Sequence, residues 1–201
     1  MSLPTLIPRY SAKNIRWKAD EFLIRHHPTF SLPVPIEEII EFEFYINIVP
    51  LHGLHKAFEI DGFISHDLTA ISVDAFVQES RPGRYRFTLA HEMGHVVLHR
   101  EFFRQYVFKN VDEWKKLTQA LSPLDYGTIE WQAYQFAGLI LVPPKVLRIQ
   151  YYEATKMARE KGVWKGKQAA PMVRQYLANW LAKQFVVSTE VIERCLQRDK
   201  L

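Results

Sequence analysis

Residues 84–99 read Arg84-Tyr85-Arg86-Phe87-Thr88-Leu89-Ala90-His91-Glu92-Met93-Gly94-His95-Val96-Val97-Leu98-His99. Apolar Phe87, Leu89, Ala90, Val97 and Leu98 recur at helical spacing, which predicts a helix over about Arg86 to His99. On that helix His91 and His95 lie on one face, one turn apart. Their imidazoles can converge on one cation, with zinc–nitrogen distances of about 2.0–2.1 Å. Glu92 is rotated about 100° around the axis from His91. It cannot easily share the ion, but it can reach a water bound there, as a general base for hydrolysis must. Gly94 carries a helix-propensity cost of about 1 kcal/mol relative to Ala, which points to something packed closely on its bare side. The competing reading is a solvated Glu92 beside histidines making ordinary hydrogen bonds, since His-Glu-x-x-His also arises by chance.

A hydrolytic zinc needs three protein ligands and one open position. Glu101 stands six residues after His95, but the position three after His95 is Leu98, where a chain turning back would need glycine. On a continuing helix Glu101 points about 240° away from His95. His99 extends the row His91, His95, His99, whose ends are about 12 Å apart along the axis, too far for one ion. It is read as a helix-end residue, as a group behind the ligands, or as a cation facing the helix dipole. Glu130 is the better candidate. Glu130, Ala133 and Ala137 form one helical stripe in a helix predicted from about Thr128 to Leu141, and two alanines one turn apart allow a close approach to another helix. The alternative for Glu130 is a first-turn acid facing the dipole.

The segment 84–99 resembles the signature of the ImmA/IrrE family of metallopeptidases. Glu130 to Pro143 resembles that family's second motif, a Glu-x-x-Ala helix continuing Phe-Ala and ending in an apolar run and Pro. The strands within Ile60 to Asp74 are similar to those preceding the metal helix. The resemblance covers roughly residues 10 to 145. It implies a zincin-like fold and a zinc site of His91, His95 and Glu130, with Glu92 as base. Two positions depart from the family pattern: Gln132 stands where a Glu is usual, and Tyr134 where an Asn is usual. The first leaves Glu130 as the only acid of the motif; the second concerns the surroundings of the site. Tyr126, Tyr134 and His99 are candidate donors to a developing oxyanion. Family proteases often cut a repressor or antitoxin, so the resemblance implies a transcriptional regulator or antitoxin as protein substrate.

Outward from this centre the pattern is α+β. Ser11 to His27 carries Ile15, Ala19, Phe22 and Leu23 at helical spacing and should close at His27-Pro28. A short helix is expected over Ile36 to Phe42, then a strand over Phe44 to Val49 ended by Pro50. Ala57 to Ile64 and Ala70 to Val73 read as antiparallel strands around a Ser65-His66-Asp67 turn. Arg81-Pro82-Gly83 is a turn signal. A helix over 112–121 with Asp112 as N-cap is followed by the Ser122-Pro123 break. Helices near 145–161, near 171–184 and from about Ser188 fill the rest. The expected organisation is a domain over 1–144, with a small, mostly antiparallel sheet packed on the active-site helix, and a helical extension over 145–201 packing on it.

Composition bounds the function. Apolar residues make up 48% of 201, which excludes a disordered chain. A single cysteine, Cys195, excludes a disulfide framework or a Cys-rich zinc module and suits a reducing cytosol. Phe136 to Val142 falls far short of the roughly 20 apolar residues of a membrane span. The N-terminus lacks a basic region followed by a long apolar core, so a cytoplasmic protein without a membrane partner is expected. Residues 145–201 hold 12 Lys/Arg against 5 Asp/Glu, whereas residues 1–144 hold 14 against 17. The basic part allows weak nucleic-acid contact, and a solvated surface is the plainer reading. Leu181 to Leu196 resembles the second half of a helix-turn-helix module. However, Val186 replaces the turn glycine, and Glu190 and Glu193 would face phosphates badly. The stripe Val173, Tyr176, Leu177, Trp180, Leu181 suits a hairpin packed on the core instead. Two functions therefore compete: a zinc endopeptidase, favoured by the intact Glu92, and a non-catalytic or DNA-associated regulator that keeps the zincin shape.

Overall fold

The computed structural model describes residues 7–162, 164 and 171–201. Two long helices hold the centre. Helix α5 (Pro82–Leu98) begins earlier than its periodicity predicts, because Pro82 occupies the first helical position, where a missing N–H leaves nothing unpaired. The Arg81-Pro82-Gly83 turn signal is thus a helix start. Helix α8 (Pro123–Leu141) also starts early: the Ser122 hydroxyl accepts from the Asp125 N–H at 3.1 Å, and Pro123 follows at the first position. Leu89, Ala90 and Met93 of α5 and Ala133, Phe136 and Ala137 of α8 are wholly buried between and around them. Each large one stabilises the fold by about 1.5–3 kcal/mol.

Helix α1 (Ala12–His26) lies on α8, its start capped reciprocally by Ser11 and Asn14. Helix α2 (Ile36–Glu38) runs into a π-helical turn, Ile39–Glu43, and packs on α5. Strand β1 (Asn47–Leu51) contains Pro50 rather than stopping before it. The strand is at the sheet edge, where a residue without an N–H is tolerated. Ala57, expected in a strand, lies in helix α3 (Leu54–Phe58), which leaves β2 only Gly62–Ile64.

β2 and β3 (Ala70–Asp74) pair antiparallel over three residue pairs. The Asp67 carboxylate organises their connection, accepting from the hydroxyls of Ser65 at 2.6 Å and Thr69 at 2.8 Å. β1 pairs parallel with β3 over five residue pairs, in the order β1-β3-β2. The sheet is therefore mixed, and the expectation of a mostly antiparallel sheet is corrected. The excursion from Leu51 to Ala70 through α3 and β2 is long enough for the crossover that a parallel pair requires. Alternation of apolar residues marks strands but carries no information on their neighbours.

After β3, Asp74 caps helix α4 (Ala75–Ser80), accepting from the Val77 N–H at 3.1 Å. Helix α6 (Arg100–Gln105) follows α5 directly. Helix α7 (Val111–Ala120) is capped by Asn110, not by Asp112, which falls in the first turn. Helices α9 (Pro144–Glu160), α10 (Pro171–Phe185) and α11 (Thr189–Asp199) complete the chain. Leu181, Phe185 and Ile192 belong to the same buried cluster as α1, α5 and α8. A satellite of Ala154, Ala158, Val173 and Leu177 joins α9 to α10. Among the described residues, no helix is long and apolar enough to cross a membrane.

Candidate active site

The approach of α5 to α8 is set by the smallest side chains on each. A Cβ placed on Gly94 would lie 2.9 Å from the Ala133 Cα and 3.0 Å from its carbonyl oxygen. Only glycine permits that contact. It brings Glu130, one turn before Ala133, against the two histidines of α5. The Glu130 carboxylate stands 3.2 Å from His91 Nε2 and 3.6 Å from His95 Nε2, and the two Nε2 atoms are 3.1 Å apart. Three donors about 2.0–2.1 Å from a tetrahedral zinc are separated from one another by about 3.3–3.4 Å. The two Glu130 distances belong to different oxygens, Oε2 towards His91 and Oε1 towards His95. One oxygen of the carboxylate and the two Nε2 atoms lie within 4.8 Å of one another, close enough for the three side chains to converge on one divalent ion. Among the described residues, His91, His95 and Glu130 form the single cluster able to hold a metal.

Glu92 is buried on the neighbouring side of α5, where its Oε2 accepts from the Ile64 N–H of β2 at 2.9 Å. Burial pushes its carboxyl up to about 7; His91 opposes this, Glu130 adds to it and the Ile64 N–H opposes it. Burial works against a charged His91, but the hydrogen bond and charge of Glu130, with Glu92, outweigh it, and the net shift is upward. His95 is driven the other way by burial and by the flanking His91 and His99.

His91, Glu92, His95 and Glu130 share a cavity of 240 Å³ with Gly62, Phe63, Thr88 and Tyr126. A second cavity of 560 Å³ meets the first at Phe87, His91 and Glu130 and runs between α8 and α11, past Tyr134, Val191 and Arg194. Of the three oxyanion candidates, Tyr126 lines the cavity of Glu92. Burial, with Glu130 and Glu92, pushes its hydroxyl up to about 12, so it stays a donor. Tyr134 lines the second cavity, under the Arg194 guanidinium at 5.2 Å. His99 sits behind His95, buried, with one ring nitrogen on His95 and the other on Gln132. Burial lowers His99 to about 4, so it is neutral and not a cation for the helix dipole. Glu101 lies on α6, exposed and paired with Arg104, outside the site.

Sequence reasoning missed Gln132 as a partner of His99 and the Ile64 amide as a partner of Glu92. A signal for the first exists: Gln132 is a lone amide among Ile129, Ala133, Phe136 and Ala137, where an unsatisfied polar group would be costly.

The comparisons with known proteins bear on the same region. The family model Peptidase_M78, IrrE N-terminal-like domain, matches residues 76–197. No curated protein matches the chain. Among solved structures, a Mycobacterium tuberculosis transcriptional regulator is similar, with a TM-score of 0.51 and 17% identity. The match covers 90% of this chain and 45% of the regulator, so this chain spans less than half of that protein's length. At this identity the likeness is one of fold.

Proposed function

Because this chain belongs to the Peptidase_M78 family, the ImmA/IrrE metallopeptidases, we propose that it is a cytoplasmic zinc endopeptidase cutting a regulatory protein of the repressor or antitoxin type. The observation that supports this most is the convergence of His91, His95 and Glu130 beside a buried acid. Bound there, zinc supplies Lewis acidity and lowers the pKa of its water towards 7. Glu92 is the base. One of its oxygens is held by the Ile64 N–H, and the other receives the proton and later delivers it to the leaving amine. Burial raises the Glu92 carboxyl from the ordinary carboxylate range, which favours its taking up a proton. Tyr126 faces the same cavity and donates to the oxygen of the attacked carbonyl.

The substrate backbone has a track to follow. Ladder bonds from the Ser65 N–H to Ala70 and from the Asp74 N–H to Asp61 leave the intervening Gly62 and Ile64 turned outward from β3. An extended peptide laid along β2 would therefore meet backbone groups next to Glu92.

Two substitutions test this reading. Glu92→Gln should retain stoichiometric zinc and lower peptide hydrolysis by about 10³-fold. Turnover equal to that of the unaltered protein would remove Glu92 from the mechanism. His95→Ala should lose zinc, measured by metal analysis of the purified protein, and an unchanged zinc content would discard the ligand set.

The DNA-associated alternative has less to support it. Val191, Ile192 and Cys195 of α11 are buried, and Arg198 donates to the Val142 carbonyl at 3.3 Å. Helix α11 is thus committed to the protein interior along one side. Salt-dependent retardation of duplex DNA would revive that alternative, and its absence at low salt would close it.

A further inference from the structure

Behind the metal-facing side of His95 runs a line of hydrogen bonds whose polarity is fixed from its far end. The Pro8 carbonyl, just before α1, only accepts, and Gln132 Nε2 donates to it at 2.9 Å. This orients the Gln132 amide with Oε1 towards His99, whose Nε2 lies 2.9 Å away. An amide oxygen only accepts, so the hydrogen sits on His99 Nε2. An imidazolium here would be a buried cation whose ring nitrogens touch only an amide oxygen and another imidazole, with Glu130 acting on it from a distance and burial outweighing that attraction. The neutral ring therefore presents a lone pair at Nδ1. His95 Nδ1 stands 3.1 Å from that lone pair and must donate to it. His95 then carries its only hydrogen on Nδ1 and turns the Nε2 lone pair to His91 and Glu130. His95, His99 and Gln132 are all at most 2% exposed, so water does not compete for these positions.

We propose that Gln132 and His99 are positioning residues that hold His95 in the Nδ1–H tautomer, presenting its Nε2 as a metal ligand, and that the segment at Pro8 sets the direction of the relay. This rests on the metal-centre reading for what the tautomer is for, but the tautomer itself follows from hydrogen-bond polarity at a neutral, buried His99. The segment at Pro8 lies far outside residues 76–197, so residues remote in sequence complete the site. Orienting partners of this kind are worth roughly 10–100-fold in metal affinity.

The test uses the full chain and zinc. Long-range proton–nitrogen correlation spectra of the histidine rings should place the hydrogen on Nδ1 of His95 and Nε2 of His99, in both the zinc-loaded and the chelated protein. A hydrogen on Nε2 of His95 in the chelated protein would overturn the proposal. Gln132→Met, which keeps the length but removes the acceptor, should weaken zinc about 10–100-fold in competition with a chromophoric chelator. Gln132→Glu, which restores an acceptor, should bind within about threefold of the unaltered protein. Equal affinity of the folded Met variant would also overturn the relay; if that variant does not fold, the spectra decide. Failure of the unaltered protein to take zinc would instead overturn the metal-centre reading, and the chelated spectra would still decide the tautomer.

Discussion

The α5–α8 pair and the α10–α11 hairpin are both tightly packed, yet they bury different chemistry. Between and beside α5 and α8 lie Glu92, His95, His99 and Gln132, all nearly inaccessible to water and each with a named hydrogen-bond partner. The hairpin buries Leu181, Phe185, Val191, Ile192 and Cys195, with the Cys195 thiol directed to the Gly138 carbonyl at 3.7 Å. A buried polar group without a partner costs about 1–3 kcal/mol. A chain that keeps four such groups in one place and satisfies each is maintaining an arrangement that packing alone would not select. The hairpin's sequence resembles part of a DNA-reading unit, but its inward side is ordinary core. The backbone of Val187 and Ser188 lies so close to Gly83 that a Cβ there would meet it at 3.0–3.2 Å. Resemblance and buried content thus point to different roles, and the content is the better guide.

Three substitutions would break or sharpen this contrast. The largest effect is expected from Phe185→Ala, which empties a fully buried ring from the core and should lower stability by about 3–5 kcal/mol in chemical denaturation. Zinc affinity of the remaining folded protein should be unchanged; a tenfold loss would mean that the hairpin helps to shape the metal centre. Gly94→Ala comes next. It gains about 1 kcal/mol of helix propensity, but forces α8 back from α5 against backbone atoms, at a cost of about 1–3 kcal/mol. The net expectation is a modest loss of stability together with weaker zinc binding, since Glu130 moves with α8. A stabilised variant with full affinity would show that this contact does not set the spacing of the ligands. The smallest effect is expected at Val186, whose φ of 50° places a β-branched residue in the left-handed region. Relief of that strain by Val186→Gly, about 1 kcal/mol at the low end, is largely offset by about 0.4–1 kcal/mol of extra freedom in the unfolded chain and by loss of the half-buried isopropyl group. Melting should shift only slightly, and zinc binding should not change.

The parts of this molecule that were legible in advance are those fixed by neighbours along the chain. Helix α5, the pairing of His91 with His95 and the offset of Glu92 follow from a repeat of 3.6 residues. Early starts at Pro82 and Pro123 escaped because proline reads as a break, although it is also the residue best suited to a first helical position. The cap of α7 slipped from Asp112 to Asn110 because both residue types cap equally well and only the backbone path chooses between them.

Residue order alone determined the placement of His91 and His95 on one helix face, the offset of Glu92 beside them and the small-residue stripe that admits a close neighbour, because each depends on local rotation and rise. It singled out Glu130 while leaving a dipole-facing role open for that side chain. Tertiary structure decided that α8 lies across α5 with the Glu130 carboxylate 3.2 Å from His91. It also decided that β1 runs parallel to β3, and that a carbonyl at residue 8 reaches an amide at residue 132. These depend on which surfaces meet after long loops close, and that choice is made by the summed burial of the whole core rather than by any stretch of chain.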